Sequence, residues 1–162
     1  MSAHAKPIPP RLLGHPVHLL SLGFGTGLAP RAPGTVGTLA ALPLYWLLHS
    51  LPAWQYALVG AALFGLGVYL CGATARVLGV HDHPGIVWDE VVGYLLTLVA
   101  VPYDWRWLVL GFVLFRLFDI WKPWPIRSLD RGLRGGFGIM FDDLVAALYA
   151  SVLMQVILYF FR

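Results

Sequence analysis

The chain has 162 residues, of which 59% are hydrophobic and only 12% charged, with a mean hydropathy of +0.73. A water-soluble domain carries about 25% charged residues, so an ordinary soluble globule is excluded. The net charge of +3 is small and the seven tryptophans sit in apolar surroundings, which excludes a nucleic-acid surface and makes membrane lipid the partner.

A transmembrane helix needs ~20 apolar residues at 1.5 Å each, so this length holds about five spans and no separate soluble domain. The first fourteen residues carry Lys6 and Arg11, with Pro7, Pro9 and Pro10 where a signal peptide would need its apolar stretch. They read as a retained cytoplasmic tail of a single domain covering residues 1–162. Residues 15–30 include HLLSLGFGTGLAP, too short and glycine-rich to span, and predict a re-entrant or interfacial helix. Apolar runs follow at 36–51, 54–72, 86–101, 105–121 and 144–161. LPAW and PYDW join two pairs of them as tight helical hairpins. Cys71 lies inside an apolar run, so no intrachain disulfide exists. The expected fold is an all-α, polytopic membrane helical bundle of about 4–5 spans plus the short N-terminal helix.

Basic residues in short loops set the orientation. With five spans and a cytoplasmic N-terminus, Lys6, Arg11, Arg31, Arg76, Lys122, Arg127, Arg131 and Arg134 fall inside, and Arg106 and Arg162 outside. Trp54, Tyr103, Trp105, Trp121, Trp124 and Tyr159 then lie near span ends, as an aromatic belt requires. The same topology puts Asp82, Asp89, Glu90, Asp119, Asp130, Asp142 and Asp143 on or near the cytoplasmic side and only Asp104 outside.

A carboxylate well inside a span costs about 2.5–3.5 kcal/mol on insertion scales. Asp89 and Glu90 enter the run IVWDEVVGYLLTL, either as a capping pair at a helix N-terminus or as ligands. Arg116 and Asp119 share a helical face at a spacing of three, with Lys122 on nearly the same face. They form either an intrahelical ion pair or a ladder for a phosphate and a metal. Asp142 and Asp143 open the last run and sit ~100° apart, so one reads as an N-cap and the other as a ligand. Carboxylates from three helices at one depth suit a hard cation such as Mg²⁺, which is usually held by one or two carboxylates plus phosphate oxygens. His81-Asp82-His83 are too close together for a zinc site and read as a turn. The loop GFGTGLAPRAPGTVGTL combines glycines with Arg31 and a helix starting near Thr35, which is either a flexible re-entrant turn or an anion site.

Four motifs in chain order, HLLSLGFGTGLAPRAPGTVGTLAALP, GVHDHPGIVWDEVVGYLLTL, FVLFRLFDIWKPWPIRSLDR and GGFGIMFDDLVAALYA, closely resemble bacterial phosphatidylglycerophosphatase A. The resemblance implies a Mg²⁺-dependent inner-membrane enzyme, multi-pass, with its site facing the cytoplasm. It would remove the terminal phosphate of phosphatidylglycerophosphate to give phosphatidylglycerol. The family's acidic positions fall on Asp89, Glu90, Asp119, Asp142 and Asp143. The expected metal ligands are Asp89, Glu90, Asp119 and Asp143, and the expected phosphate-binding residues are Arg31, Thr35, Arg116, Lys122 and Arg134. Two rivals remain: a CDP-alcohol phosphotransferase, whose D-x-x-D-G-x-x-A-R run is absent here, and an ion-coupled transporter, whose acids would lie near the midplane in a chain of paired halves.

Overall fold

The computed structural model describes residues 7–124, 126 and 132–161. Lys6, Arg127, Asp130, Arg131 and Arg162, which entered the orientation argument, lie outside the described residues. Within these the chain is all-helical. The helices are α1 (Pro16–Ser21), α2 (Pro33–Leu39), α3 (Ala41–Leu48), α4 (Ala53–Leu78), α5 (Trp88–Thr97), α6 (Trp105–Trp121) and α7 (Gly135–Phe161). Short 3₁₀ turns at Pro10–Gly14 and Gly23–Leu28 flank α1. The N-terminal segment therefore forms the short helix that the sequence suggests.

Two helices among the described residues are long and apolar enough to cross a membrane, α4 with 26 residues and α7 with 27. Only 33% of the most apolar stretch of α4 and 28% of that of α7 are buried, so most of each stretch faces outward. Of the other expected runs, 105–121 forms α6 over its whole length, and two give shorter helices for identifiable reasons. The 36–51 run is divided into α2 and α3 at Ala40, because Pro43 has no N–H to bond the Leu39 carbonyl and its ring crowds it. The 86–101 run gives a helix of 10 residues, α5, about 15 Å long and so half a bilayer core.

That short helix is the centre of the molecule. Eight of its ten residues are buried, Asp89 among them, and α2, α3, α4, α6 and α7 all pack on it. Polar side chains fasten it on several sides, which an apolar interior requires of every buried donor. Trp88 Nε1 donates to the Leu63 carbonyl at 3.2 Å, Tyr56 Oη to Leu95 at 3.0 Å, and Tyr94 Oη to Leu108 at 2.8 Å. At its N-terminus the Val87 N–H donates to the Ser21 carbonyl, tying α1 to α5. His18 in turn ties α1 to α4. The Thr74 hydroxyl donates to Leu70, so His18 Nδ1 donates to Thr74 Oγ1 at 2.9 Å.

The helices run so that the N-termini of α2, α5 and α7 and the C-termini of α4 and α6 gather at one end. Gly136 marks the closest approach. A Cβ there would collide with the Val68 carbonyl and the Gly72 amide of α4. The exterior is apolar, and Trp54, Tyr103, Trp105, Trp121, Trp124 and Tyr159 are all exposed, as a belt at the ends of spans would have them. Cys71 is fully buried and packs against Met140 Sδ at 3.8 Å.

Gly136→Ala should lower stability by about 1–3 kcal/mol, because backbone cannot yield as a side chain can. Gly65→Ala meets nothing within 4 Å and should leave stability unchanged or raise it by up to about 1 kcal/mol. Thermal unfolding of the two variants in one detergent checks the pair; equal melting temperatures would remove Gly136 from the packing argument.

Candidate active site

The acidic residues converge at the gathered end. α5 begins after the Pro84-Gly85 turn, and its N-cap position is Val87, with no side-chain cap. Asp89 and Glu90 therefore do not cap the helix. They occupy its first turn, where the helix dipole favours negative charge. The expectation for α7 changes more. The helix starts at Gly135, so Asp142 and Asp143 lie about two turns inside it and neither is an N-cap. The RGGFGIMF stretch, glycine-rich in sequence, supplies the added turns because Gly136 and Gly138 pack directly on neighbouring backbone.

Being ~100° apart, the two aspartates face different partners. Asp143 turns towards α5. One carboxylate oxygen from each of Asp89, Glu90 and Asp143 lies within 4.8 Å of the other two. Asp89 is 8% exposed and Asp143 3%. Oδ1 of Asp89, Oε2 of Glu90 and Oδ2 of Asp143 are fully buried and find no hydrogen-bond partner among the described residues. Asp142, 6% exposed, turns towards the end of α6, where Lys122 Nζ donates to its Oδ2.

Arg116 and Asp119 form the intrahelical pair that their spacing predicts, Nη1 donating to Oδ2. The pair is not closed on itself, because the same Nη1 lies 3.7 Å from Glu90 Oε1. Arg116 thus joins α6 to α5, while Asp119 faces Asp143 on α7. Lys122 ends α6 in the left-handed region, at φ 46 and ψ 62. The following Pro123 disfavours a helical Lys122, and the left-handed turn is the conformation from which its ammonium meets Asp142 on α7.

Gly34 completes the wall on the side of α2. A Cβ at this position would strike Glu90 Oε1 and lie 3.3 Å from Arg116 Nη2. The sequence left the glycine loop open as a re-entrant turn or an anion site; its contact with Glu90 was not legible, because only packing brings α2 against α5. Thr35 follows at a half-buried position. Arg31 and Arg134 are exposed, at the N-terminal ends of α2 and α7, and the structure brings neither into the carboxylate group. The His81-Asp82-His83 turn closes on the same end: His81 Nε2 accepts from the Gly135 amide at 3.1 Å and His83 Nδ1 from Gly85 at 3.0 Å.

Buried carboxylates are retained only when paired, hydrogen-bonded or bound to a metal. Three buried oxygens without a partner among the described residues, all carboxylate and converging from two helices, are a donor set for a hard divalent cation. Fold and site together define an all-helical protein with an apolar exterior and a buried acidic centre at one end.

The family model described as phosphatidylglycerophosphatase A matches residues 19–158. A protein of Escherichia coli (strain K12) named phosphatidylglycerophosphatase A is 52% identical over 149 residues, covering 91% of this chain and 84% of that protein. A Haemophilus influenzae protein of the same name is 50% identical over 147 residues, covering 90% of each chain. A Bacteroides thetaiotaomicron protein, provisionally named a phosphatidylinositol-3-phosphatase, is 36% identical over 146 residues, covering 85% of this chain and 91% of its own. No solved structure matches. The chain belongs to the phosphatidylglycerophosphatase A family, and with it to the phosphatases. Neither the transferase nor the transporter reading is favoured.

Arg116→Met leaves Glu90 and Asp119 without their common cation and should destabilise the protein by about 3 kcal/mol. Adding Glu90→Gln should recover a measurable part of that loss. Strictly additive changes across this double-mutant cycle, followed by thermal unfolding, would show that Arg116 and Glu90 are not coupled.

Proposed function

We propose that the chain hydrolyses the terminal phosphomonoester of phosphatidylglycerophosphate, giving phosphatidylglycerol and inorganic phosphate. The observation that carries this reading is the meeting of three carboxylate oxygens, unpartnered among the described residues, with Arg116 against Glu90 and the Lys122–Asp142 pair next along α7. It offers negative charge for a cation and positive charge for a phosphate within one buried end. The relatives' names support a phosphatase acting on a phosphorylated phosphatidyl lipid, and those at 50–52% identity favour phosphatidylglycerophosphate over the phosphoinositide of the 36% relative.

In this reading Asp89, Glu90 and Asp143 hold Mg²⁺, which when bound supplies positive charge to the phosphate oxygens and lowers their repulsion towards a nucleophile. The phosphomonoester itself carries about −1.5 to −2 charge at neutral pH. Arg116 and Lys122 balance it inside the site, while Arg31, Thr35 and Arg134 receive the head group at the rim. Asp119, oriented by Arg116, takes the proton of the attacking water as its oxygen bonds to phosphorus; as the phosphorus–oxygen bond to the glycerol breaks, the departing oxygen takes a proton from solvent water, and Asp119 then returns its own proton to solvent. An ester cleaved this way needs a water-poor pocket that the head group can reach while the acyl chains stay in lipid. A bundle whose charges gather at one end provides it.

The distribution of basic residues supports a multi-pass inner-membrane protein with this end towards the cytoplasm. α4 and α7 are its full spans, and α2 with α3, α5 and α6 fill the space between them.

Excess chelator should abolish phosphate release from purified protein in mixed micelles, and added Mg²⁺ should restore it; full activity in chelator would sink the metal assignment. Asp143→Asn should lose both activity and Mn²⁺ binding measured by electron paramagnetic resonance. Asp119→Asn should lose about 10²- to 10⁴-fold in kcat yet still bind Mn²⁺. Failure of Asp119→Asn to bind the ion would instead place Asp119 among its ligands.

A further inference from the structure

The outer surface between α6 and α7 is hollowed. Phe118, Leu148, Tyr149, Val152, Leu153 and Val156 line a groove of about 420 Å³, within the range of small-ligand sites. An adjoining hollow continues from Val152 and Val156 to Tyr159 and Phe160. No charged side chain lines either one. One end of the groove is lined by residues that neighbour the acidic ones on the same two helices. Phe118 immediately precedes Asp119, and Tyr149 lies seven residues beyond Asp142, on the same stripe of α7. The Phe118 and Tyr149 rings are 5.5 Å apart, and Tyr149 Oη donates to the Trp124 carbonyl. Two residues before Trp124, Lys122 holds Asp142. The lining is therefore hydrocarbon, and the lysine–aspartate pair stands two residues along the chain from Trp124, the residue that Tyr149 bonds at one end. From Leu148 to Phe160 α7 rises about 18 Å, close to the ~15 Å of hydrocarbon in one bilayer leaflet.

We propose that this groove seats one acyl chain of the phospholipid substrate, so that its phosphorylated head group is presented to the carboxylate centre. The proposal rests on the phosphatase reading above. The occupant follows from continuity: a molecule filling both the groove and the centre must carry a phosphate at one end and a hydrocarbon chain of about one leaflet's depth at the other. A lipid lacking the phosphate would bury the same carbon but leave the centre untouched.

Val152→Trp and Val156→Trp fill the groove, whereas Val113→Trp adds the same bulk to an exposed position of α6 outside it. Phosphate release is measured from dipalmitoyl and dibutyryl forms of phosphatidylglycerophosphate in mixed micelles. The groove variants should lose at least about tenfold in the kcat/KM preference for the long-chain form, through KM, and Val113→Trp should keep it. An unchanged preference in the groove variants overturns the proposal. A second measurement needs no variant. In nanodiscs, phosphatidylglycerophosphate with a photoreactive group at mid-chain should label residues 148–156 of the wild-type protein. Unlabelled substrate should displace the label, and an equal amount of phosphatidylcholine should not. Displacement by phosphatidylcholine, or labelling spread evenly over the exposed helices, overturns the proposal. If the wild-type protein releases phosphate from neither chain length, the phosphatase reading fails and the groove assignment falls with it. If it releases phosphate normally, only the groove assignment is at risk.

Discussion

Five carboxylates, those of Asp89, Glu90, Asp119, Asp142 and Asp143, are held inside or against the wall of an apolar bundle, and the rest of the structure answers to them. Charge in so poor a solvent persists only where another group meets it. Arg116 therefore reaches across from α6 to α5, Lys122 accepts a left-handed backbone that other lysines avoid, and Gly34 gives up a side chain so that α2 can close beside Glu90. Left-handed non-glycine backbone costs on the order of 1–3 kcal/mol and persists where its surroundings enforce it. At Lys122 the enforcement comes from Pro123 on one side and Asp142 on the other. Among the described residues no donor reaches one oxygen each of Asp89, Glu90 and Asp143, and there the demand of the carboxylates is left open.

The fold makes that arrangement possible by wrapping a short helix in longer ones. α5 cannot cross a bilayer, and has no need to, because neighbouring helices enclose it almost completely. Its N-terminus thus lies below the surface of the bundle, at the depth that α7 reaches two turns from its own start. The offset between α5 and α7 puts Asp89, Glu90 and Asp143 at one level, and the ends of α4 and α7 stand beyond it as a rim. A polar centre recessed under this rim, beneath an apolar exterior, can take a charged head group while lipid tails stay outside. The groove between α6 and α7 extends the same division of labour along the outer wall.

Much of the site was legible in the sequence. Charge is so scarce in this chain that its positions stand out, and the WDE, FRLFDIWK and DD motifs mark the three helices that build the centre. The spacing of Arg116 and Asp119 put them on one helical face and left an ion pair or a ladder open, and the structure forms the pair. The depth of Asp142 and Asp143 was not legible, because RGGFGIMF resembles a loop to any rule based on propensity. Only close backbone contact, of Gly136 with α4 and of Gly138 with Leu133, makes these glycines favourable in a helix. Two of the expected runs, 36–51 and 86–101, give shorter helices, the second for a related reason. An apolar run reports that its residues avoid water, and residues buried in protein avoid water as fully as residues in lipid, so α5 reads as a span when it is a core.

Composition and periodicity by themselves determined that the chain is helical, apolar outside, and charged at one end, since these follow from solvation and from the helical repeat. Tertiary structure alone decided which carboxylates meet. Asp143 and Asp142 are adjacent in sequence yet serve different partners, whereas Asp89 and Asp143 are 54 positions apart and share a centre. Pairing at that range depends on how far α7 extends and on where α2, α4 and α6 press against α5, which are properties of packed surfaces and not of any local run of residues.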